Sequence, residues 1–164
     1  MSELPAIDYD RVSRQVLYEL LVNQVQSLFE QERDPIANMA NLSALLYEAL
    51  QDVIWVGFYR LVKNELVLGP FQGRVACVRI KMGSGVCGTS AQRKETVIVD
   101  DVHRFPGHIA CDVSSRSEIV VPLIKNSRLL GVLDIDSPLT SRFNTEDKKG
   151  LEKLVELFIT RTDF

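Results

Sequence analysis

Two pairs of short apolar segments, each folded back on itself across a tight polar turn, constrain this chain more than any other feature. Val53 to Val62 runs into Lys63-Asn64 and returns as Leu66 to Leu68; Glu118 to Ile124 crosses Lys125-Asn126-Ser127 and returns as Leu129 to Ile135. Apolar, β-branched runs joined this closely form antiparallel hairpins, because a parallel pair needs a crossover of a dozen or more residues. Further strands are expected at Ala76–Ile80 and Thr96–Val99. Helical periodicity is strongest toward the two ends of the chain. From Tyr9 to about Glu32, Val12, Val16, Leu20, Leu21, Leu28 and Phe29 recur on one face. Asp34-Pro35 then supplies an N-cap with proline at the first helical position, where its missing N–H costs nothing. Ile36, Met39, Leu42, Leu45, Leu46 and Leu50 give that second helix its stripe. A closing helix starts near Asn144, with Glu146 and Asp147 at its positive end and Leu151, Leu154, Val155 and Phe158 on its buried face. The expected class is α+β: one domain over residues 1–164, a largely antiparallel sheet flanked by N- and C-terminal helices, with 1–33 as N-terminal helix and 34–164 as core.

A chain of 164 residues buries a core that stands without staples. Its 19 basic and 22 acidic residues leave a formal charge of −3 with no block of Lys or Arg, so counterion release has no seat and nucleic-acid binding is not expected. No apolar run approaches a membrane span. Met1-Ser-Glu-Leu-Pro-Ala has neither a basic start nor an apolar signal core, so a cytoplasmic protein is expected. In that compartment Cys77, Cys87 and Cys111, odd in number and without a C-x-x-C pair, would be kept reduced, and structural disulfides are not expected.

Gly83-Ser-Gly85-Val-Cys-Gly88 matches G-x-G-x-x-G. The following helix has room for only about two turns before the Thr96 strand, too little for a βαβ crossover. These glycines are better read as a tight loop opening a short helix, and no cofactor is expected. His103, His108 and Cys111 are near in sequence, but Cys77 and Cys87 are too widely spaced for a zinc knuckle, so no metal is expected either. His108 is a loop residue that bonds backbone or tunes the neighbouring thiol.

Trp55 and Tyr59, four apart on one strand, flank Gly57 on the same side; the glycine leaves an open floor between two rings, suited to an apolar group or to an ammonium over a π face. Asp134 and Asp136 project from one face of their strand while Leu133 and Ile135 occupy the other. If the hairpin pairs as written, Glu118 joins them. Three carboxylates in one region raise at least one pKa and keep a proton available near neutrality. A thiol in the loop His108-Ile-Ala-Cys111-Asp112 beside these acids suggests sulfur chemistry on a small cationic ligand.

Trp55-Val-Gly57-Phe-Tyr59, Gly69-Pro-Phe-Gln-Gly73, Ala76-Cys77, Gly83-Ser-Gly85-Val-Cys87-Gly88-Thr89, Asp101-Val-His103, Gly107-His-Ile-Ala-Cys111, Ser117-Glu118-Ile-Val-Val-Pro122 and Gly131-Val-Leu-Asp134-Ile-Asp136 together resemble the free methionine-(R)-sulfoxide reductases, which are single GAF-domain enzymes. The likeness runs from about Asn38 to the last helix, and departs from the family where Lys81 follows Ile80 in place of the usual proline. The resemblance implies Cys111 as the attacking cysteine, Cys77 as the resolving one and Cys87 as an auxiliary or dispensable thiol. It implies Glu118, Asp134 and Asp136 as substrate-binding acids and Trp55 and Tyr59 as an apolar wall. It further implies reduction of free L-methionine-(R)-sulfoxide through a sulfenic acid and a disulfide, with recycling by a thioredoxin-like dithiol; the fold's habits favour a homodimer. The alternative is a non-catalytic GAF module that binds a small ligand or senses oxidants through Cys77 and Cys111.

Overall fold

The structure, a computed structural model, describes residues 8–108 and 111–164. Its frame is a six-stranded, wholly antiparallel sheet in the order β3-β2-β1-β6-β5-β4, built from β1 (Trp55–Val62), β2 (Glu65–Gly73), β3 (Arg79–Lys81), β4 (Val97–Val99), β5 (Ser117–Lys125) and β6 (Arg128–Ser137). Helices α1 (Arg14–Leu28), α2 (Pro35–Ala49) and α4 (Thr145–Arg161) gather on one face, and α3 (Gly85–Arg93) lies on the other.

The two expected hairpins form as β1–β2 and β5–β6. Both turn on a pair of residues with positive φ, Lys63-Asn64 (47° and 66°) and Asn126-Ser127 (50° and 65°), the left-handed geometry whose twist matches that of the flanking strands. The second turn is therefore two residues rather than three. β2 runs to Gly73, well beyond the expected Leu68. Gly69 and Pro70 fall at a bulge where the β1 register shifts between Gly57 and Tyr59. The β3 pairing reaches only Glu65–Val67, so Pro70 sits on an open edge where a missing donor is tolerated. β3 itself is shorter than the expected Ala76–Ile80, because residues 76–78 form a loop that holds Cys77. β3 and β4 lie at opposite edges of the sheet, so the glycine-rich segment between them is a loop–helix and no βαβ unit.

Each long helix is set by its cap. Asp34 accepts from the Ala37 amide at 2.8 Å with Pro35 at the first position. Asn144 and Asp147 form a reciprocal capping box on α4. Ser13 caps α1 by accepting from Val16, and that cap corrects the continuous helix expected from Tyr9: residues 9–11 form a separate 3-10 turn, with Val12 and Ser13 extended. The buried face of α1 is also rotated from the expected stripe. Val16 is 40% exposed, whereas Leu17, Tyr18, Leu21, Gln24 and Val25 are buried. Polar anchors decide this: the Tyr18 hydroxyl donates to Asp147 at 2.9 Å, and Arg14 pairs with the same carboxylate at 3.0 Å. Gly150 on α4 makes room, since a Cβ there would lie 2.2 Å from the Tyr18 ring. Ile36, at 44% exposed, likewise leaves the expected α2 stripe; the other five residues are buried. Among the described residues no helix is long and apolar enough to cross a membrane.

Alternation along the central strands separates two apolar clusters. Val56, Phe58, Ile119, Val121, Leu133 and Ile135 pack beneath α1, α2 and α4. Trp55, Tyr59, Val120, Val132 and Cys87 belong to the opposite side, under α3. The second side carries the acids.

Candidate active site

Register places the carboxylates. On β6 Asp134 and Asp136 are two residues apart, so they share a face. Glu118 on β5 is the direct partner of Asp136, and Asp136 in turn faces Trp55 on β1; Asp134 faces Gly57. The three acids thus project from the sheet centre, where strands pair on both sides, toward α3. Cys87, in the first turn of α3, is buried above them and donates to Glu118 Oε1 at 3.8 Å.

Burial and crowding set their protonation. Glu118 is pushed well above the usual carboxylate range by burial, then by the charges of Asp134 and Asp136. Asp136 is pushed up by burial and by Asp134. Asp134 rises to about 6, through burial. The Cys87 thiol is pushed up by burial and by the Asp134 and Glu118 charges. Among the described residues no Lys or Arg forms an ion pair with Glu118, Asp134 or Asp136. Asp136 accepts from the Ser115 hydroxyl, but Asp134, only 6% exposed, has one oxygen, Oδ1, with no hydrogen-bond partner. An unpaired buried carboxylate oxygen is costly, and here it calls for a cationic or donor ligand.

The sulfur side closes the cavity. Cys77 and Cys111 are bonded to each other, with Cα atoms 5.5 Å apart. The structure shows this pair oxidised, where thiols kept reduced and no structural staple were expected; the bond joins the two cysteines that the resemblance pairs as attacking and resolving, and Cys87 alone is free. Spacing along the chain carries no information about two loops that meet in space. Cys77 is also held by the Tyr59 hydroxyl, which donates to its carbonyl at 3.0 Å. Cys111, Cys87, Glu118, Asp134, Asp136, Trp55 and Tyr59 border one cavity; Cys77 reaches it through Cys111. The space open to the centre of a water molecule is about 50 Å³, where roughly 10–15 Å³ suffices for one water. His108 borders the cavity too, but burial and His103 lower its pKa, so it is neutral at pH 7 and brings no fixed positive charge to the thiol. Ile109 and Ala110, in the cysteine loop singled out from sequence, lie outside the described residues.

The aromatic wall differs from expectation in one respect. Trp55 stacks between Phe71 (centroids 5.3 Å) and Tyr59 (5.9 Å). A Cβ on Gly57 would lie 2.3 Å from Phe71 Cβ and 2.5 Å from the Trp55 ring. The glycine therefore leaves no open floor; its space is filled by Trp55 lying down over it. The indole N–H donates to the Arg74 carbonyl at 3.1 Å, which fixes the ring as a rigid side wall. Sequence reasoning missed Phe71 and Ser115. Phe71 could have been found by the β1–β2 register, whereas a serine in a polar loop gives no signal.

The chain matches the GAF domain over residues 13–160. It is 50% identical over 150 residues to the free methionine-R-sulfoxide reductase of Escherichia coli (strain K12), an alignment spanning 90% of this chain and 91% of that protein. The Saccharomyces cerevisiae protein of the same name is 44% identical over 154 residues, spanning 89% of this chain and 86% of its own. Among solved structures, the X-ray structure of the Neisseria meningitidis free methionine-R-sulfoxide reductase in complex with its substrate superimposes with a TM-score of 0.90 at 42% identity, over 96% of this chain and 95% of that one. The chain belongs to the GAF-domain family and, within it, to the free methionine-R-sulfoxide reductases.

Proposed function

We propose that this protein reduces free L-methionine-(R)-sulfoxide to methionine, with Cys111 as nucleophile and Cys77 as the thiol that resolves it. One observation carries the reading: a Cys77–Cys111 disulfide borders the same small cavity as a buried Asp134 whose Oδ1 has no partner. A bond between these two sulfurs is the oxidised end of such a cycle, and the vacant carboxylate oxygen suits the substrate's ammonium. The (R) epimer comes from the relatives, whose names carry it.

In the reduced protein, the ammonium of the free amino acid is held by Asp134 with charge-assisted hydrogen bonds. Its positive charge also offsets the acidic surroundings that would otherwise slow thiolate formation, a task the neutral His108 cannot perform. Glu118 or Asp136, both kept protonated near neutrality, gives a proton to the sulfoxide oxygen, which makes sulfur electrophilic. The Cys111 thiolate attacks that sulfur and forms a sulfur–sulfur bond; the protonated oxygen then shifts to the Cys111 sulfur as the substrate's sulfur–oxygen bond and the new sulfur–sulfur bond both break, so methionine leaves and Cys111 carries the oxygen as a sulfenic acid. The Cys77 thiol displaces it as water, forming the disulfide. A thioredoxin-like dithiol then exchanges with that bond, supplying two electrons and two protons. Trp55 and Tyr59 wall the substrate's thioether end. A peptide-bound methionine sulfoxide lacks the ammonium and would leave Asp134 Oδ1 buried and unpaired, which is how the site rejects it.

The decisive assay mixes the protein with dithiothreitol and free L-methionine-(R)-sulfoxide and counts methionine, beside the (S) epimer and the N-acetylated substrate. Turnover of the free (R) form alone is expected. Equal rates on the N-acetylated compound would remove the acids from their role.

A further inference from the structure

The proposed cycle leaves one buried nucleophile unused. Cys87 sits in the cavity wall as the remaining free thiol, and its sulfur, a carboxylate oxygen of Glu118 and one of Asp134 lie within 4.8 Å of one another, all three residues buried. We propose that Cys87, Glu118 and Asp134 bind a thiophilic divalent cation, Zn²⁺ or its analogue Cd²⁺, which occupies the pocket in place of a positively charged small molecule.

Three features favour this ligand class. The donor set is one sulfur and two carboxylate oxygens, a mixed soft and hard set that suits zinc; calcium takes six to eight oxygens and magnesium six. The spacing is close to what the ion needs. Bonds of about 2.3 Å to sulfur and about 2.1 Å to oxygen at a tetrahedral angle separate the two donors by roughly 3.6 Å, and Cys87 Sγ lies 3.8 Å from Glu118 Oε1. Third, Asp134 Oδ1 is already desolvated and unpaired, so a cation gains a ligand without stripping it from water. Asp136 stands aside, its carboxylate taken by Ser115. The cavity that these three residues border has room for water, which would supply the fourth ligand, as in three-ligand zinc sites.

The spacing of these donors along the chain hides the site. They come from α3, β5 and β6, and only the sheet register and the seating of α3 bring them together. The cation would take two acids that the proposed reaction uses, and would add a thiol that the reaction does not need. Its consequence is inhibition that competes with substrate.

The disulfide form of the protein isolates the test, because Cys77 and Cys111 are then unavailable and one thiol remains. Cd²⁺ titrated into that form is expected to raise an ultraviolet thiolate-to-cadmium charge-transfer band that saturates at one equivalent per chain. Cys87→Ser should abolish the band. Glu118→Gln and Asp134→Asn, which keep the thiol, should each weaken Cd²⁺ binding at least about tenfold. No band in the wild type, or a band of unchanged affinity in both carboxylate variants, overturns the proposal. Excess free L-methionine should raise the apparent Kd for Cd²⁺; indifference to methionine overturns the shared occupancy. Calorimetry of methionine without metal reports separately on the ammonium site, so failure of the substrate reading is told apart from failure of the cation site.

Discussion

On β5, Ile119 and Val121 pack against the helical layer of α1, α2 and α4, while Glu118 and Val120 turn toward α3 and the cavity; on β6, Leu133 and Ile135 go one way and Asp134 and Asp136 the other. The same period-two alternation thus builds two faces with opposite energetics. The helical face is closed and apolar, with Phe58, Leu133, Ile135 and Phe158 fully buried and Phe158 set against Phe58 and Phe29 at centroid distances of 5.3 Å and 6.1 Å. The cavity face holds three acids and a thiol whose pKa values are all raised by burial, and the Asp134 charge pushes Glu118, Asp136 and Cys87 up further. Strands can carry so unfavourable a cluster at their centre because the alternate residues on the reverse side of the same strands supply the stabilisation.

Four substitutions break or sharpen that contrast. The largest effect is expected from Cys111→Ser: turnover falls by at least about a thousandfold, since removing an essential nucleophile costs that much or more. Measured on reduced proteins, its urea midpoint stays at the wild-type value. Near-wild-type turnover would move the nucleophile elsewhere. On the opposite face Phe158→Ala does the reverse, lowering unfolding free energy by about 3–5 kcal/mol while kcat/KM per folded molecule holds. A loss below 1 kcal/mol would mean that the helical face is not the stabilising one.

Asp134→Asn tests the link between the faces. A carboxyl whose folded pKa is raised to about 6 from an ordinary value near 4 binds its proton more tightly in the native state. Its contribution to stability is therefore full at low pH and is lost as pH rises through the window from about 4 to 6. The neutral asparagine escapes that loss. It should unfold about 1–3 kcal/mol harder than wild type at pH 7.5, with the difference vanishing near pH 4, and should lose preference for the free amino acid over its N-acetyl form. A variant less stable than wild type at pH 7.5 would contradict the picture of a destabilised cavity face. The smallest effect is expected from Asp34→Ala, which removes the α2 cap far from the cavity: about 1 kcal/mol of stability and no change in KM, read by urea denaturation and initial rates.

Much of this molecule was legible before any coordinates. Asp34-Pro35, Asn144 and the two hairpin turns are local devices whose chemistry acts within a few residues, and each forms where its residues indicate, the second turn one residue shorter than expected. The acid cluster was legible for the same reason: alternation fixes which side chains share a face, and a hairpin turn fixes which strand positions meet. Misreadings arose where distant partners intervened. Val16 turned outward because Tyr18 and Arg14 reach Asp147 on α4, and the Gly57 floor closed because Trp55 stacks on Phe71.

Order along the chain, in the end, determined the antiparallel α+β class, the caps, and the presence of Glu118, Asp134 and Asp136 on one sheet face, since all of these follow from interactions between near neighbours or between strands joined by short turns. Tertiary packing alone decided that two loops 34 residues apart would join Cys77 to Cys111, that α3 would lower Cys87 onto the acids, and that Asp134 would be left with an unpartnered oxygen. Those outcomes depend on where separate elements come to rest in three dimensions, and residue spacing holds no record of that.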